Sequence, residues 1–368
     1  MASSQIVVTA VAGHSLWPNM EVELNTFGEL LDGHIERHLV VGEHSISESL
    51  RGSFDLVYPV EPPFPDYRGI RYAFRATRRY LNEYRPDFIF NIAQQIPVGF
   101  AVALAGCRKA GVTTILRVAG EPFRQHELEE AWFRRFRKWM VHWKGVEFAG
   151  QMADAVLTLG PTLRSQIVES GISPAKVYAL PNFFDHRRFQ RSSEPEEEMK
   201  GELGLEPSRK TVLFVGRVSE MKGADRLLEI VRCVVRESED IQFCILGDGP
   251  LLQEFRQFPS SRVHLAGRVP YTDVPNYYRA SDLLIHPSKT EGLPNVVLEA
   301  IAARLPVMAA PVGEIQRYVP KTASEPQVYV EYILRGEWEP PAYPNWFDRE
   351  VLRERYLSFF NNLVSKEP

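Results

Sequence analysis

The chain has 368 residues, of which 44% are hydrophobic and 24% are charged, with a formal net charge of −4 and a pI near 6.2. This length suits two domains that each bury a core, and this composition excludes disordered and fibrous proteins. The slightly acidic balance and the lack of a recognition motif argue against nucleic acid as a partner.

The cysteines and the amino terminus predict a cytoplasmic protein. The three cysteines, Cys107, Cys233 and Cys244, are far apart and form no metal-ligand spacing. The first residues lack the charged segment of a signal peptide, and no apolar run approaches the ~20 residues that a membrane span needs.

Apolar runs in the first half predict strands that alternate with helices. We predict a helix over residues 101–110 and strands over residues 5–10, 39–41, 87–91, 112–118, 155–159 and 177–180. This rhythm is typical of a Rossmann-like domain. We expect this domain to cover residues 1–185.

Residues 130–144 mix aromatic and basic side chains at helical spacing, and residues 132–140 read WFRRFRKWM. Two interpretations are open. The aromatic face could pack into the domain, or the helix could rest on an anionic membrane surface. We favour packing, because packed amphipathic helices are the commoner case.

The second half shows a more regular alternation of strands and helices. Residues 191–198 read RSSEPEEE, which predicts an exposed linker. Strands follow over residues 211–216, 242–246, 263–266 and 283–287, each ending near a turn. A parallel sheet covered by helices on both faces accommodates this pattern. We expect the second domain to cover residues 186–346.

The turn after residues 283–287 carries a carboxylate at each end. Pro294 predicts the start of a helix, whose first amides around Asn295 would attract a phosphate. Glu299, one turn into that helix, can lean back toward the turn that holds Glu291. With a phosphate on the amides, both carboxylates are left to accept hydroxyl hydrogen bonds. The pattern predicts a sugar-nucleotide site; the alternative is two solvated glutamates.

A second anion site is predicted after the strand over residues 211–216. Gly216 and Gly223 allow close backbone approach, and Arg217 and Lys222 lie between them at the carboxyl end of the strand. The arginine would form bidentate hydrogen bonds to diphosphate oxygens, and the lysine would add a positive charge nearby. The alternative is a pair of ordinary surface charges.

These features together resemble retaining glycosyltransferases of family 4. The residues that carry the resemblance are Gly216-Arg217, Lys222-Gly223, Ala280-Ser281-Asp282, His286-Pro287-Ser288 and Glu291 to Glu299. The resemblance is strong over about residues 211–313 and loose in the first half. It implies the α/β GT-B fold, in which two Rossmann-like domains face each other across a cleft. It also implies that a C-terminal helix, here within residues 347–368, crosses back to the first domain.

The resemblance also implies roles for the residues of the second domain. Arg217 and Lys222 would bind the donor diphosphate. Glu291 would contact the transferred sugar, and Glu299 would hold the ribose hydroxyls. The nucleotide base would meet the backbone near Arg268 and Val269. The remaining implied donor contacts are Gly216, Gly292, Leu293, Asn295 and Val296.

Acceptor-side candidates lie after two strands of the first domain. Arg117 stands where relatives often have histidine, and could stabilise the leaving phosphate, while Glu121, after Gly120, could orient or deprotonate an acceptor hydroxyl. The alternative for each is a structural ion pair at a strand end. Gly13 and His14 follow the first strand, where backbone could approach the phosphate.

The chain departs from the family pattern at several places. Phe183 replaces a usual glycine, so we expect the backbone there to avoid a positive φ or to absorb strain. Arg304 also replaces a usual glycine, and Gly313-Glu314 stands where a glycine pair is common. The segment over residues 319–346 is short, which predicts a shortened or missing strand and helix.

The resemblance implies sugar transfer from a nucleoside diphosphate sugar to a hydroxyl of a glycan, lipid-linked saccharide or small molecule, with retention. No cofactor or metal is expected, and the chain contains no Asp-x-Asp pair. The expected location is the cytoplasm, with peripheral contact to the inner membrane surface if residues 130–144 meet lipid. Alternatives are a catalytically silent sugar-nucleotide-binding or scaffold protein, and a GT-B epimerase or phosphorylase.

Overall fold

The computed structural model describes residues 6–12, 18–42, 46–60, 69–91, 96–106, 111–121, 131–190 and 196–365. The chain divides into two compact units. The first combines Met1–Phe184 with Asp348–Pro368, and the second is Asp185–Phe347. Within the described ranges, every helix is too short or too polar to cross a bilayer.

Strands and helices alternate through both units. The strands are β1 Val7–Val11, β2 Glu36–Gly42, β3 Leu56–Val60, β4 Phe88–Asn91, β5 Thr113–Val118, β6 Ala155–Thr158, β7 Val177–Ala179, β8 Lys210–Val215, β9 Ile241–Leu246, β10 Val263–Gly267, β11 Leu283–His286 and β12 Val307–Ala309. The α-helices are α1 Pro18–Leu30, α2 Glu48–Ser53, α3 Gly69–Glu83, α4 Ile96–Gly106, α5 Trp132–Lys138, α6 Gly145–Met152, α7 Pro161–Glu169, α8 Glu196–Glu202, α9 Ala224–Glu237, α10 Val274–Arg279, α11 Asn295–Ala302, α12 Pro326–Arg335 and α13 Arg349–Val364.

The first unit contains a seven-stranded parallel sheet with the order β3-β2-β1-β4-β5-β6-β7. Its inner strands are buried along nearly their whole length, as expected where helices cover both faces of a parallel sheet. The predicted strands are present, and the structure adds β3. That strand contains Pro59 and lies at the edge of the sheet, where a proline removes no ladder hydrogen bond.

The last helix, α13, belongs to the first unit. Asp348 caps its start by accepting a hydrogen bond from the Glu350 amide at 2.8 Å. Tyr356 is fully buried and donates to the Pro181 carbonyl at 2.6 Å, and the Phe360 ring packs on Phe88. The implied return of the C-terminal helix to the first domain is therefore confirmed.

The second unit contains a five-stranded parallel sheet with the order β10-β9-β8-β11-β12. Helix α9 buries Leu227, Ile230, Val231 and Val234 on one side, at the spacing of an amphipathic helix. These side chains join one hydrophobic core with Phe243 and other strand residues. Because all five strands are parallel, their carboxyl ends lie along a single edge.

The predicted linker over residues 191–198 is partly wrong. Helix α8 begins at Glu196, so the last three residues of that stretch are helical. Glutamates are good helix formers and suit the first turn of a helix, and Met199 anchors the helix by being buried. Residues 191–195 lie outside the described ranges.

The short segment over residues 319–346 keeps a helix, α12, whose Tyr329, Val330 and Ile333 are buried in the core of the second unit. The strand expected there is reduced to a single bridge between Ala309 and Thr322. The segment therefore closes the core despite its length.

The packing interpretation for residues 130–144 holds for Trp143 but is wrong for the aromatic residues at the start of the segment. Trp132, Phe133 and Phe136 are 78%, 57% and 57% exposed. The chain forms α5, a wider π-helical turn over Trp139–Lys144, and α6. The helix does pack on the first unit, but through Trp143, Val146 and Ala149 rather than through the first aromatic residues.

Candidate active site

The loops after β8 and β11 are packed against each other at the carboxyl edge of the second sheet. Gly223 has a left-handed φ of 74°, and a side chain there would meet the Pro287 carbonyl, 2.0 Å from an ideal Cβ. The Met221 carbonyl accepts hydrogen bonds from Ser288 Oγ at 3.1 Å and from the Lys289 amide at 3.0 Å. Glycine therefore permits the two predicted anion sites to meet.

The centre of this edge is a cluster of Lys222, His286 and Glu291. Lys222 Nζ donates to Glu291 Oε1 at 2.6 Å, and His286 Nε2 lies 3.0 Å from the same oxygen. The lysine side chain is 36% exposed, whereas the histidine and glutamate side chains are 2% and 10% exposed. The cluster thus combines a solvent-facing cation with an enclosed carboxylate.

The surroundings of Glu291 favour the ionised form of its carboxylate. Burial alone would raise its pKa, but the Lys222 charge and the His286 hydrogen bond outweigh burial and hold the pKa well below its usual range. Glu291 Oε2 has no protein hydrogen bond among the described residues. This second oxygen is the one available to a ligand hydroxyl.

Glu299 lies in a different environment from Glu291, although it is only eight residues further along the chain. It is 4% exposed, and the hydroxyls of Tyr278 and Tyr271 lie 2.6 Å from its Oε2 and 3.3 Å from its Oε1. Burial raises the pKa of Glu299 to about 7, although the two tyrosine hydrogen bonds oppose the rise. At neutral pH this carboxyl is partly protonated.

The turn between the two glutamates is held by the loop after β12. Gly313 has a φ of 58°, and a side chain there would meet the Gly292 carbonyl, 2.1 Å from an ideal Cβ. The Glu314 amide donates to that same carbonyl at 2.8 Å. Leu293 is buried, and Asn295 and Val296 are half-buried at the start of α11. The implied donor contacts over residues 292–296 therefore lie on one turn, which the loop after β12 supports.

Arg217 and Arg268 lie at the same edge, on the loops after β8 and β10, which flank the loop after β9. Arg217 is exposed, and no hydrogen bond or ion pair of its side chain is seen within the described part of the chain. Its loop is held by the Val218 amide, which donates to the Asp248 carbonyl at 3.0 Å. Arg268 is paired with Asp248 at 3.2 Å, and Val269 beside it is half-buried.

Arg117 lies in the interior of the first unit. Its side chain is 1% exposed, and its guanidinium forms an ion pair with Glu23 and donates to Asn182 Oδ1 at 3.0 Å. It also faces the Phe183 ring at 5.6 Å. This geometry favours the alternative interpretation, a structural ion pair, because the buried carboxylate of Glu23 holds the cation inward.

The other acceptor-side candidates are only partly described. Glu121 is 3% exposed, and the position of its neighbour Gly120 opens onto free space. Gly13 and His14 lie outside the described residues. Phe183 does not adopt a positive φ and is buried against Phe27 and Tyr356, so the loss of glycine there causes no backbone strain.

Two contributors to the site, Tyr271 and Tyr278, were missed from the sequence, and a third, His286, was counted toward the resemblance but given no role. His286 ends β11 and can be anticipated, because strand ends at this edge point toward ligands. Tyr271 and Tyr278 reach Glu299 from the region around α10, more than 20 residues away in the chain. No local spacing connects them to the glutamate.

The family comparison agrees with this geometry. Residues 209–331 match the model described as glycosyl transferases group 1, and residues 42–182 match the glycosyl transferase 4-like domain. The chain belongs to the group 1 glycosyltransferases. The two matches together cover most of the chain and extend into both units.

Curated relatives align over a smaller part. The chain is 34% identical over 175 residues to TuaC of Bacillus subtilis, a glycosyltransferase assigned to teichuronic acid biosynthesis, covering 44% of this chain and 42% of TuaC. It is 30% identical over 185 residues to the phosphatidylinositol N-acetylglucosaminyltransferase GPI3 subunit of Saccharomyces cerevisiae, covering 48% and 39%. The matched region spans less than half of each relative.

Solved structures match over nearly the whole chain. Sucrose-phosphate synthase from Thermosynechococcus elongatus has a TM-score of 0.76 at 16% identity, covering 99% of this chain and 100% of that chain. Anabaena HepE in complex with UDP-glucose has a TM-score of 0.69 at 14% identity, covering 98% and 96%. At these identities the likeness shows the fold, which is the predicted GT-B fold of two Rossmann-like units.

Proposed function

We propose that this protein transfers a sugar from a nucleoside diphosphate sugar to a hydroxyl group of an acceptor, with retention at the anomeric carbon. The observation that carries the proposal is the Lys222–Glu291–His286 cluster on the turn that leads into α11. It combines a partly exposed cation, an ionised carboxylate and a helix amino terminus, which suit a diphosphate and the sugar attached to it.

The leaving group is the nucleoside diphosphate. In the proposed reaction, the bond between the anomeric carbon and the diphosphate oxygen breaks, and the oxygen keeps the electron pair. Arg217, Lys222 and the first amides of α11 stabilise the charge that develops. The acceptor hydroxyl attacks from the side that the diphosphate leaves, and its proton passes to a phosphate oxygen.

Glu291 and Glu299 have different roles in this proposal. In this proposal Glu291 Oε2 accepts a hydrogen bond from the transferred sugar, and the negative charge of Glu291 favours the positive charge of an oxocarbenium-like transition state. Glu299 accepts hydrogen bonds from the ribose hydroxyls. Ligand hydroxyls then join or replace the tyrosine hydroxyls that contact Glu299 without ligand.

Thermal-shift measurements with uridine, guanosine and adenosine diphosphate sugars test the donor. A true donor stabilises the folded protein by mass action, by about 2.7 kcal/mol at a concentration one hundred times Kd. We expect one nucleotide to raise the Tm and Lys222→Ala to reduce the shift by at least about half. Lys321→Ala, an exposed lysine of the same unit, is the matched control. If no sugar nucleotide shifts the Tm, the proposal is wrong.

Product analysis then separates the reaction from its alternatives. Transfer needs an acceptor, whereas an epimerase converts the donor without one, and a phosphorylase needs phosphate. A silent binding protein shows the thermal shift but neither transfer nor donor hydrolysis. NMR of the new glycosidic bond reports whether the anomeric configuration is retained.

We also propose that no metal cofactor is required, because Arg217 and Lys222 are placed to neutralise the diphosphate. Transfer should therefore persist in EDTA. The proposed acceptor is a saccharide, a lipid-linked saccharide or a small molecule. The proposed location is the cytoplasm, with peripheral contact to the inner membrane surface.

A further inference from the structure

Large exposed hydrophobic side chains concentrate in one stretch of the first unit. Nine such side chains are exposed among the described residues, and six of them lie within residues 132–148. They are Trp132, Phe133, Phe136, Met140, Val141 and Phe148. We call residues 132–148 the aromatic–basic surface. A group of this kind marks an interaction site rather than the scattered apolar residues of an ordinary surface.

The aromatic–basic surface is built on an anchored helix. Val146 and Ala149 are fully buried in a core cluster of the first unit, and Trp143 packs against the same cluster. The inner face of the segment is therefore buried against the rest of the first unit. The exposed aromatic side chains belong to the outer side, which no part of the described chain covers.

Charge on this surface points to an anionic lipid. Residues 132–148 contain five basic residues and one acidic residue, Glu147, which is paired with Lys144 at 2.6 Å. Arg134, Arg135 and Arg137 are exposed between the aromatic rings. A bilayer surface takes aromatic rings at the headgroup boundary and cations at the lipid phosphates, which is the combination that this surface presents.

The chain direction places the Trp132 end of this surface toward the carboxyl edge of the first sheet, which is the predicted acceptor side. Helix α6 ends at the amino edge of the first sheet, since the Asp154 amide donates to the Thr114 carbonyl at the start of β5. The segment from Trp132 to α6 must therefore run back from the carboxyl edge. Gly120 and Glu121 lie at that carboxyl edge, directly after β5.

We propose that the aromatic–basic surface docks on an anionic bilayer, and that the acceptor is consequently a hydroxyl of a lipid-anchored molecule. This inference rests on the proposed function for the acceptor part only. The docking itself needs no donor, so it can be tested independently of catalysis.

Sedimentation of the full chain with vesicles tests the docking. One set of vesicles contains phosphatidylcholine alone and the other also contains phosphatidylglycerol. We expect binding to the second set, reduced at least ~10-fold when Arg134, Arg135 and Arg137 are changed together to glutamine. Changing Trp132, Phe133 and Phe136 together to serine should have a similar effect, because exposed rings are lost while the buried face is kept.

The control variant combines Val328→Ser and Val364→Ser, which remove exposed apolar side chains elsewhere. It should bind like the unchanged chain, and all variants should keep the unchanged Tm. Absence of binding to phosphatidylglycerol vesicles overturns the proposal. So does unchanged binding of the aromatic variant, or a dimer in solution that this variant dissociates, which would assign the surface to a second copy.

The acceptor class is tested with labelled sugar from whichever donor raises the Tm. After incubation with a total membrane fraction, label should enter the organic extract, and the aromatic variant should lower this incorporation. Its donor-induced Tm shift should not change. Label found only in water-soluble saccharide overturns the lipid-anchored acceptor, while absence of any donor-induced Tm shift is a failure of the proposed function instead.

Discussion

The carboxyl edges of the two sheets use their charged residues differently. In the second unit, Lys222 and Glu291 are paired near solvent, and Arg217 is exposed on the same loop as the lysine. In the first unit, Arg117 and Glu23 are paired in the interior, at 1% and 4% exposure. A partly exposed pair can exchange its partner for a ligand, whereas a buried pair is committed to the fold. We therefore expect the partly exposed pair of the second unit to bind a ligand, and the buried pair of the first unit to stabilise the fold.

The largest expected effect comes from Glu291. Glu291→Gln keeps the shape but removes the charge, and we expect kcat to fall by about 10²–10³-fold, the usual cost of one electrostatic contact to the transition state. The donor-induced Tm shift should largely remain. Nucleotide release followed by chromatography measures the loss. Glu220→Gln, an exposed glutamate on the loop that carries Lys222, is the control and should be neutral.

Loss of the buried pair in the first unit should reduce stability rather than activity. Arg117→Ala leaves Glu23 buried without its cation, and we expect a loss of about 3–5 kcal/mol in the free energy of unfolding. Denaturant unfolding measures it. Activity per folded molecule should change little. A large loss of kcat with unchanged stability would contradict the comparison and return Arg117 to the reaction.

Lys222→Ala should weaken donor binding by about 10–100-fold, since a hydrogen bond to a charged group contributes about 1.5–3 kcal/mol. Titration calorimetry with the donor measures it. High salt should weaken the unchanged protein more than the variant, because screening acts on the charge that the variant lacks. Equal salt dependence of both proteins would show that the lysine does not meet the diphosphate.

Glu299 should make donor affinity depend on pH near neutrality. Burial raises its pKa to about 7, and ribose hydroxyls donate best to the ionised form. Affinity should therefore fall by up to ~10-fold per pH unit below 7 and level off above it. Tyr271→Phe removes a hydrogen bond that lowers this pKa, so the profile should shift to higher pH. A profile that is flat from pH 6 to 8, about one unit on either side of the pKa, would contradict ionisation of Glu299 on binding.

The same group acts on stability with the opposite pH direction. The folded protein binds the Glu299 proton more tightly than the unfolded chain, whose carboxyl has a pKa near 4.5. This contribution to the free energy of unfolding is therefore present at low pH and is lost as pH rises from about 4.5 to 7.

The smallest effect is expected at Arg304. It is the one non-glycine residue with a positive φ, 55°, in the described part of the chain, and its guanidinium lies 4.3 Å from the centre of the Tyr343 ring. Arg304 follows α11 and precedes β12, at the amino edge opposite to Glu291. Arg304→Gly should change stability by less than about 1 kcal/mol, because relief of backbone strain offsets the lost ring contact. Donor affinity should stay unchanged in the same titration.

Much of the donor side was predictable because its signals are local. The strands β8, β9 and β11 appear as apolar runs, and parallel strands must bring their carboxyl ends to one edge. Lys222 and Glu291 therefore could be assigned to neighbouring loops although they are 69 residues apart. The linker prediction failed at Glu196 to Glu198, because charge alone does not distinguish an exposed loop from the first turn of a helix.

The sequence by itself determined the alternating strands and helices of both units and the turn from Glu291 to Glu299, since hydrophobic period and strand-end motifs are properties of short segments. The GT-B fold came from the resemblance that these motifs carry. Only the tertiary structure decided that Tyr271 and Tyr278 enclose Glu299, that Glu23 turns Arg117 inward, and that Phe133 and Phe136 face solvent. Each of these outcomes depends on which side chain from a distant part of the sequence makes the contact, or on which face of a helix is covered by a neighbouring element. The spacing of residues along the sequence does not determine either of these.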